Sequence, residues 1–346
     1  MNSIIDSKTR IVSLDIIRGF ALLGILFINI PAFQLVVEGS SAPTNYGGID
    51  ETIRILIDVI ITKKFFSIFS FLFGVGFYIF ASNVEKRGDN PKRRFARRLG
   101  SLFIISLVHM FIFFGSILSA YACIGLLLIP FYHASLSTIA KWLGGIASAY
   151  LFCIVIQLVN IKNEMVTSIA TSMTTDSTLI FLMFLAGFGV SKAGWIRRIW
   201  EFKKQIMRIQ LAMLPLVIGG AVWIWLASSA NSDQLSLIIK LSSIPTVVLY
   251  LSTMFLLLEN KTVATLFTPV ASVGRMALTN YVAQSIIAKV IFSFANIEFV
   301  TPTQTVWIAL LIFTIQIIYT SIWFKFFKMG PLEKMWRTMT YGKRKA

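Results

Sequence analysis

The chain has 346 residues, of which 56% are hydrophobic, and its formal net charge is +17 at pH 7. Its mean hydropathy is +0.78, and its apolar content exceeds the value of about 45–50% that is typical of soluble proteins. A soluble protein is therefore excluded, and the long apolar runs differ from the short alternating strands of a membrane barrel. The two cysteines, Cys123 and Cys153, are too few for a disulfide framework or a zinc site.

Apolar runs long enough to cross a bilayer as helices recur along the whole chain. They predict an all-α, polytopic transmembrane helical bundle of about ten spans. The bundle forms a single integral membrane domain over 1–346, with N-terminal spans in 11–192 and a C-terminal part in 193–346. Small residues cluster within the spans and predict close approach of neighbouring helices, at Gly74 and Gly76, Gly144 and Gly145, Gly187 and Gly189, and Gly219 and Gly220. The predicted spans are 11–33, 62–82, 99–115, 117–131, 139–159, 178–192, 209–229, 241–258, 276–295 and 304–327.

Most of the 32 lysines and arginines fall in alternate loops, as the positive-inside rule requires when the N-terminus is cytoplasmic. The segments assigned to the inside include Lys8 and Arg10, the loops 86–98 and 192–208, and the tail 325–345. Both termini are therefore predicted to be cytoplasmic. Topology and contact with anionic membrane lipids account for the positive charge, so we expect no nucleic-acid partner.

The first predicted span carries an aspartate and an arginine, Asp15 and Arg18, in an otherwise apolar segment. A charged side chain in hydrocarbon costs about 2.5–3.5 kcal/mol on insertion scales, so such a pair marks a functional site or a structural ion pair. Residues three apart share a helix face, and Asn29, eleven residues after Arg18, extends the same polar stripe. We expect this stripe to face protein rather than lipid.

His109 is the only histidine within a predicted span, and Arg98 lies eleven residues before it on the same helix face. Histidine titrates near physiological pH, so His109 is a candidate general base. The alternative for His109 is an interhelical hydrogen bond. For Arg98, extension of the side chain towards the membrane interface is a sufficient explanation.

The ninth predicted span adds four further polar residues, Arg275, Asn280, Gln284 and Lys289. Asn280 and Gln284 are one helical turn apart, and Lys289 is an expensive residue that should face the protein interior or a watery cavity. We predict that these four residues bind substrate, together with Asn29 and Arg98. The chain has no nucleotide-binding glycine motif and no HExxH motif, so neither ATP-driven chemistry nor a metal site is predicted.

Several segments in order resemble the YeiB-like family of bacterial membrane proteins, which carries a C-terminal domain of unknown function numbered 418. The resemblance covers essentially the whole chain and implies a multi-pass protein of the bacterial plasma membrane. The segments are LDIIRGFALLGILFINI (14–30), KFFSIFSFLFGVGF (64–77), RRLGSLFIISLVHMFIFFGSIL (97–118), FLMFLAGFGVSKAGWI (181–196), GRMALTNYVAQS (274–285) and GPLEKMWR (330–337).

The first span also resembles that of a broader group of transmembrane acyltransferases, which take an acyl group from a cytosolic coenzyme A thioester. This resemblance implies an acyl-coenzyme A donor, in the first place acetyl-coenzyme A, and a cell-envelope or lipid-linked acceptor. Asp15 and Arg18 would orient the donor, and His109 would be the base. Asn29 departs from the histidine of the polysaccharide acyltransferases, and Ser116 stands where the YeiB-like family typically has aspartate.

Two other functions remain open on the same residues. A secondary transporter or flippase of a small anionic or lipid-linked substrate would use the ionisable residues of the spans as a proton or anion relay. A non-catalytic membrane scaffold or sensor would use them to hold the bundle together. The relay would consist of Asp15, Arg18, His109 and Lys289.

Overall fold

A computed structural model of the chain describes residues 11–38, 46–297 and 299–342. Within these ranges the chain forms fifteen α-helices and three short 3-10 segments, and it forms no strand. The predicted all-α fold is therefore confirmed.

The first eight helices comprise the N-terminal part of the bundle. They are α1 (Val12–Glu38), α2 (Gly48–Ile60), α3 (Lys64–Glu85), α4 (Pro91–Met110), α5 (Leu118–Leu126), α6 (Leu136–Leu158), α7 (Glu164–Met173) and α8 (Asp176–Lys192). Local sequence explains several helix starts, because a side-chain oxygen satisfies a free backbone N–H of the first turn. Asn90, for example, accepts the N–H of Arg93 at 3.0 Å before α4, and its neighbour Pro91 occupies the first helical position.

The C-terminal part contains seven helices. They are α9 (Lys203–Ser229), α10 (Leu235–Leu258), α11 (Lys261–Leu266), α12 (Thr268–Arg275), α13 (Ala277–Ala295), α14 (Pro302–Phe326) and α15 (Pro331–Tyr341). A capping box formed by Thr301 and Gln304 starts α14. The apolar α14 and the short polar α15 are separated by the turn 327–330, so the polypeptide leaves the last long helix and returns to the bundle.

Seven helical stretches in the described residues are long and apolar enough to cross a membrane. An eighth is added if the bent pair α7 and α8 is counted as one span. These stretches match the predicted spans except at 99–115 and 117–131. The number of spans and the cytoplasmic position of both termini stay predictions, and Lys8, Arg10 and the basic residues 343–345 lie outside the described residues.

The region predicted as the third and fourth spans differs in form. The first half of α4 carries four arginines and the helix ends at Met110, well before Gly115. α5 has nine residues, which rise about 14 Å and so cover less than half of a hydrocarbon core of about 30 Å. The charge of α4 and the shortness of α5 thus give helix boundaries that differ from the predicted ones: a basic helix, a turn and a short helix.

Two glycines allow α3 and α8 to pack backbone against backbone. A Cβ atom at Gly187 would lie 1.9 Å from the carbonyl oxygen of Phe71, and one at Gly74 would lie 2.0 Å from that of Phe184. The close approach that the small residues predict is therefore present at both positions. At Gly144, Gly145 and Gly219 the prediction is wrong, because a Cβ atom there would have no neighbour within 4 Å. Around it, the rings of Phe73 and Phe184 stack with centroids 4.5 Å apart.

A second close contact joins α1 to α12 and brings together two charged residues that are distant in sequence. A Cβ atom at Gly274 would lie 1.9 Å from the carbonyl oxygen of Asp15, and one at Gly19 would lie 2.3 Å from that of Val270. Only glycine permits this spacing at both positions. Because Arg275 follows Gly274, the contact carries its side chain to the same region as Arg18.

Candidate functional site

A cavity of about 400 Å³ lies among α1, α3, α4, α12, α13 and α15. Three arginines line it, Arg18 from α1, Arg98 from α4 and Arg275 from α12. Most of the remaining wall is aromatic or aliphatic, with rings from α3, α4, α5, α13 and α15. We call this space the arginine cavity, and its combination of cationic groups and apolar wall suits an anion that also has an apolar part.

Asp15 holds Arg18 in place at the cavity wall. The guanidinium Nη1 of Arg18 lies 2.9 Å from Oδ1 of Asp15, so the ion pair predicted from their spacing is present. The Asp15 side chain is 3% exposed, whereas that of Arg18 is 26% exposed. Asp15 is therefore a buried positioning group, and Arg18 is the member of the pair that a ligand can reach.

The other two arginines lie against aromatic rings. The guanidinium of Arg98 lies 3.6 Å from the ring centre of Trp336 and 4.7 Å from that of Phe80, and that of Arg275 lies 3.8 Å from Phe324. The indole N–H of Trp336 also donates to the carbonyl oxygen of Arg98 at 2.8 Å. Aromatic faces stabilise a guanidinium while leaving its edge N–H groups available to an anion.

Glu333 joins α15 to the start of α13 at the edge of the arginine cavity. Its carboxylate accepts the backbone N–H groups of Leu278 at 2.8 Å and Thr279 at 3.1 Å, and the Thr279 hydroxyl at 2.6 Å. A carboxylate at a helix N-terminus satisfies free N–H groups and interacts favourably with the helix dipole. Glu333 therefore acts first as a cap that fixes α15 on α13.

We expect Glu333→Gln to lower the free energy of unfolding by about 1 kcal/mol, because a neutral amide accepts more weakly than a carboxylate at a helix start. Thermal unfolding of the purified protein in detergent measures the change. Glu164→Gln is the matched control, since Glu164 is an exposed residue of the first turn of α7 with no side-chain hydrogen bond in the described part. Equal transition temperatures for the two variants would contradict the capping role.

His109 lies in a separate polar cluster rather than in the arginine cavity. The residue is 1% exposed, and its Nδ1 and Nε2 lie 2.9 Å from the hydroxyl of Ser116 and 3.0 Å from that of Ser285. Ser285 donates its own proton to the carbonyl oxygen of Val282 at 2.8 Å. We therefore assign the histidine proton to Nε2, which donates to Ser285, while Nδ1 accepts from Ser116.

Tyr281 separates this cluster from the arginine cavity. Its ring lines the cavity, and its hydroxyl accepts the backbone N–H of Ile117 at 3.2 Å. The ring centres of His109 and Tyr281 lie 5.5 Å apart. His109 thus lies against Tyr281, and Asn29 is half-buried and does not line the arginine cavity.

The remaining candidates of the ninth predicted span are bonded within the bundle. Asn280 and Gln284 are fully buried, and neither lines the arginine cavity. Nε2 of Gln284 donates to Oε1 of Gln316 at 3.1 Å, and Gln316 donates to the carbonyl oxygen of Asn280 at 2.9 Å. Lys289 donates to the carbonyl oxygen of Ile112. The Asn280 side chain likewise donates through Nδ2 to the carbonyl oxygen of Val273 at 2.8 Å. All three side chains are thus bonded to other parts of the bundle, and their binding of substrate stays a prediction.

Of the nine residues predicted from sequence, the structure brings Arg18, Arg98 and Arg275 together at one cavity, with Asp15 behind Arg18. Sequence reasoning did not single out Tyr281, Glu333 or Trp336, which also line it. The only sequence feature that could have marked these three residues is their position in GRMALTNYVAQS and GPLEKMWR, two of the segments that carry the family resemblance. Among the described residues no group of three or more His, Cys, Asp or Glu side chains is arranged to hold a metal ion.

The chain is similar to one family model over its C-terminal part and to three bacterial proteins over nearly its whole length. The family described as "Protein of unknown function (DUF418)" matches residues 190–343. The uncharacterized 39.9 kDa protein in the amylase 3′ region of Bacillus acidopullulyticus is 31% identical, over 97% of this chain and 95% of the relative. YxaH of Bacillus subtilis is 26% identical over 97% and 95%, and YeiB of Escherichia coli is 26% identical over 96% of each. No solved structure matches the chain.

Proposed function

This chain belongs to the YeiB-like family of DUF418 proteins, and we propose that it is a membrane acyltransferase that uses an acyl-coenzyme A donor. Its seven or eight apolar helices support a multi-pass membrane protein. The proposed donor is acetyl-coenzyme A or a related thioester from the cytosol. The proposed acceptor is a hydroxyl or amine of a cell-envelope or lipid-linked molecule, and the proposed location is the plasma membrane.

The observation that carries this proposal is the arginine cavity. A coenzyme A thioester joins a phosphorylated, strongly anionic end to a flexible and weakly polar arm. Three guanidinium groups within aromatic walls supply partners for both parts, because guanidinium binds phosphate oxygens with two parallel hydrogen bonds and rings pack against the arm. The buried Asp15 fixes the orientation of Arg18 for this role.

In the proposed reaction the acceptor attacks the thioester carbonyl carbon, a C–O or C–N bond forms and the C–S bond breaks. The His109 cluster takes the acceptor proton and returns a proton to the departing sulfur, so coenzyme A leaves as the thiol. Nδ1 of His109 accepts a hydrogen bond from the hydroxyl of Ser116, so this hydroxyl would carry a proton to the histidine. Tyr281 lies between this cluster and the arginine cavity. Donor and acceptor would meet at Tyr281.

The test uses purified protein in lipid nanodiscs with acetyl-coenzyme A. We expect direct binding by calorimetry, and we expect Arg98→Gln to weaken it by about tenfold or more, since one charge-assisted contact contributes about 1.5–3 kcal/mol. Arg93→Gln is the matched control, because Arg93 is an exposed residue of the same helix that does not line the cavity. His109→Ala should keep the binding and lose release of free thiol with an acceptor.

A second candidate function is transport of an amphiphilic anion. One observation favours it: the only carboxylate that lines the arginine cavity in the described residues, Glu333, already caps α13, and His109 lies behind Tyr281. A ligand there would be bound without contacting a base. Absence of acetyl-coenzyme A binding at millimolar concentration, together with vesicle uptake of an organic anion that depends on Asp15, would establish transport in place of acyl transfer.

A further inference from the structure

A second cavity of about 640 Å³ lies beside the arginine cavity along α15. Three exposed cationic residues line it, Arg87 from the turn after α3, and Lys334 and Arg337 from α15. The hydroxyl-bearing Thr338 and Tyr341 complete its polar wall. We call this space the basic cavity.

Within the described residues the basic cavity holds positive charge without compensation. Among them no carboxylate lines it, and none of the three cations takes part in an ion pair. Three like charges around one space repel each other, and a multivalent anion between them removes that repulsion. Chemically, the cavity therefore suits phosphate groups better than any neutral or cationic ligand.

α15 places its residues in the two cavities by helical periodicity. Glu333 and Trp336 face the arginine cavity, whereas Lys334, Arg337 and Tyr341 lie on the adjoining face towards the basic cavity. Met329, in the turn before α15, lines both spaces. The two cavities are thus neighbours, and both are lined by α15 and by Met329.

α15 is fixed between the cavities by contacts with α4. Nε of Arg97 donates to the carbonyl oxygen of Met339 at 2.8 Å. The guanidinium carbon of Arg94 lies 5.7 Å from the ring centre of Tyr341. With the Glu333 cap on α13, these contacts hold α15 at both ends. A ligand that extends from one cavity to the other would therefore pass along α15, a helix that is held in place at both ends.

We propose that the basic cavity binds the phosphorylated nucleotide end of the same thioester whose acyl arm occupies the arginine cavity. This inference rests on the proposed function and adds a second subsite to it. The arm and the phosphates next to it are matched to the arginine cavity, and the far phosphate of the nucleotide end is matched to the larger, cationic space. An anionic lipid headgroup is the competing occupant, since it presents phosphate at the same membrane surface.

The experiment compares acetyl-coenzyme A with S-acetylpantetheine, which has the same acyl arm and lacks every phosphate. Full-length protein is placed in nanodiscs of neutral phosphatidylcholine, and both affinities are measured by calorimetry. We expect the wild type to prefer acetyl-coenzyme A by about tenfold or more, as two charge-assisted contacts at an exposed site allow. Arg87→Gln with Arg337→Gln should reduce this preference by about threefold or more, retain the part supplied by the arginine cavity, and leave S-acetylpantetheine binding unchanged.

Lys141→Gln with Lys261→Gln is the matched control, because both lysines are exposed, are predicted on the same membrane side and line neither cavity. An undiminished preference in the Arg87 and Arg337 variant, or equal wild-type binding of both thioesters, would overturn the second subsite while leaving the proposed donor intact. Binding of neither thioester would remove both proposals. If phosphatidylglycerol in the nanodisc abolishes the preference, the cavity belongs to lipid and the inference fails.

Discussion

Arg18→Gln should cost about 3 kcal/mol of stability, because it takes away the guanidinium that neutralises the buried carboxylate of Asp15. It should also weaken acetyl-coenzyme A binding by about tenfold or more, since Arg18 is the member of the pair that reaches the arginine cavity. Thermal unfolding in detergent and calorimetry in nanodiscs measure the two effects separately. No other charge change in the first span is expected to affect both so strongly.

The control for this prediction is the double variant Asp15→Asn with Arg18→Gln. Removing both charges leaves no buried carboxylate to compensate, so we expect most of the lost stability to return. Ligand binding should stay weak in the double variant, because the cationic group is still missing. If the single and double variants unfold at the same temperature, the ion pair does not hold Arg18 in place.

Gly187→Ala should disrupt the packing of α3 against α8. The added Cβ atom would lie 1.9 Å from the carbonyl oxygen of Phe71, and no side-chain rotation relieves a contact with backbone. The helices must separate, so we expect a loss of about 2–3 kcal/mol or more in the free energy of unfolding. The transition temperature of the purified protein in detergent measures the loss.

Gly144→Ala makes the same chemical change where space is open. Gly144 lies within α6, and a Cβ atom there would have no neighbour within 4 Å. We expect it to be neutral or to stabilise the helix by up to about 1 kcal/mol, because alanine has the higher helix propensity. Comparable losses for Gly187→Ala and Gly144→Ala would show that the α3 and α8 contact is not the cause.

The arginine cavity also explains why the first span can carry charge. Arg18 faces a space lined by protein from several helices, and Asp15 lies behind it in the packed interior. The cost of placing these groups in an apolar segment is thus met by mutual neutralisation and by shielding from lipid. A ligand with phosphate groups would add further compensation at Arg98 and Arg275.

Local properties of the sequence determine the all-α class, the apolar stretches that can span a membrane and the Asp15–Arg18 pair. Each depends on composition or on spacing along one helix, and a helix satisfies its own backbone in hydrocarbon. Residue size marks glycines as candidates for close helix packing but does not decide which of them are packed, because Gly74 and Gly187 are and Gly144 and Gly145 face open space. The helix boundaries within 99–131 differ from the predicted ones, because hydropathy alone does not register where a helix starts on charged residues and turns early.

The tertiary structure alone decides which polar side chains share a cavity. Arg18, Arg98 and Arg275 lie far apart in sequence, and they converge because Gly19 and Gly274 let α1 and α12 approach and because α15 returns to cap α13. His109, Asn280 and Gln284 have the same polarity in sequence, yet their hydrogen bonds are used within the bundle. Periodicity shows which residues share one helix face, but which face meets which neighbour depends on packing between helices that are distant along the chain.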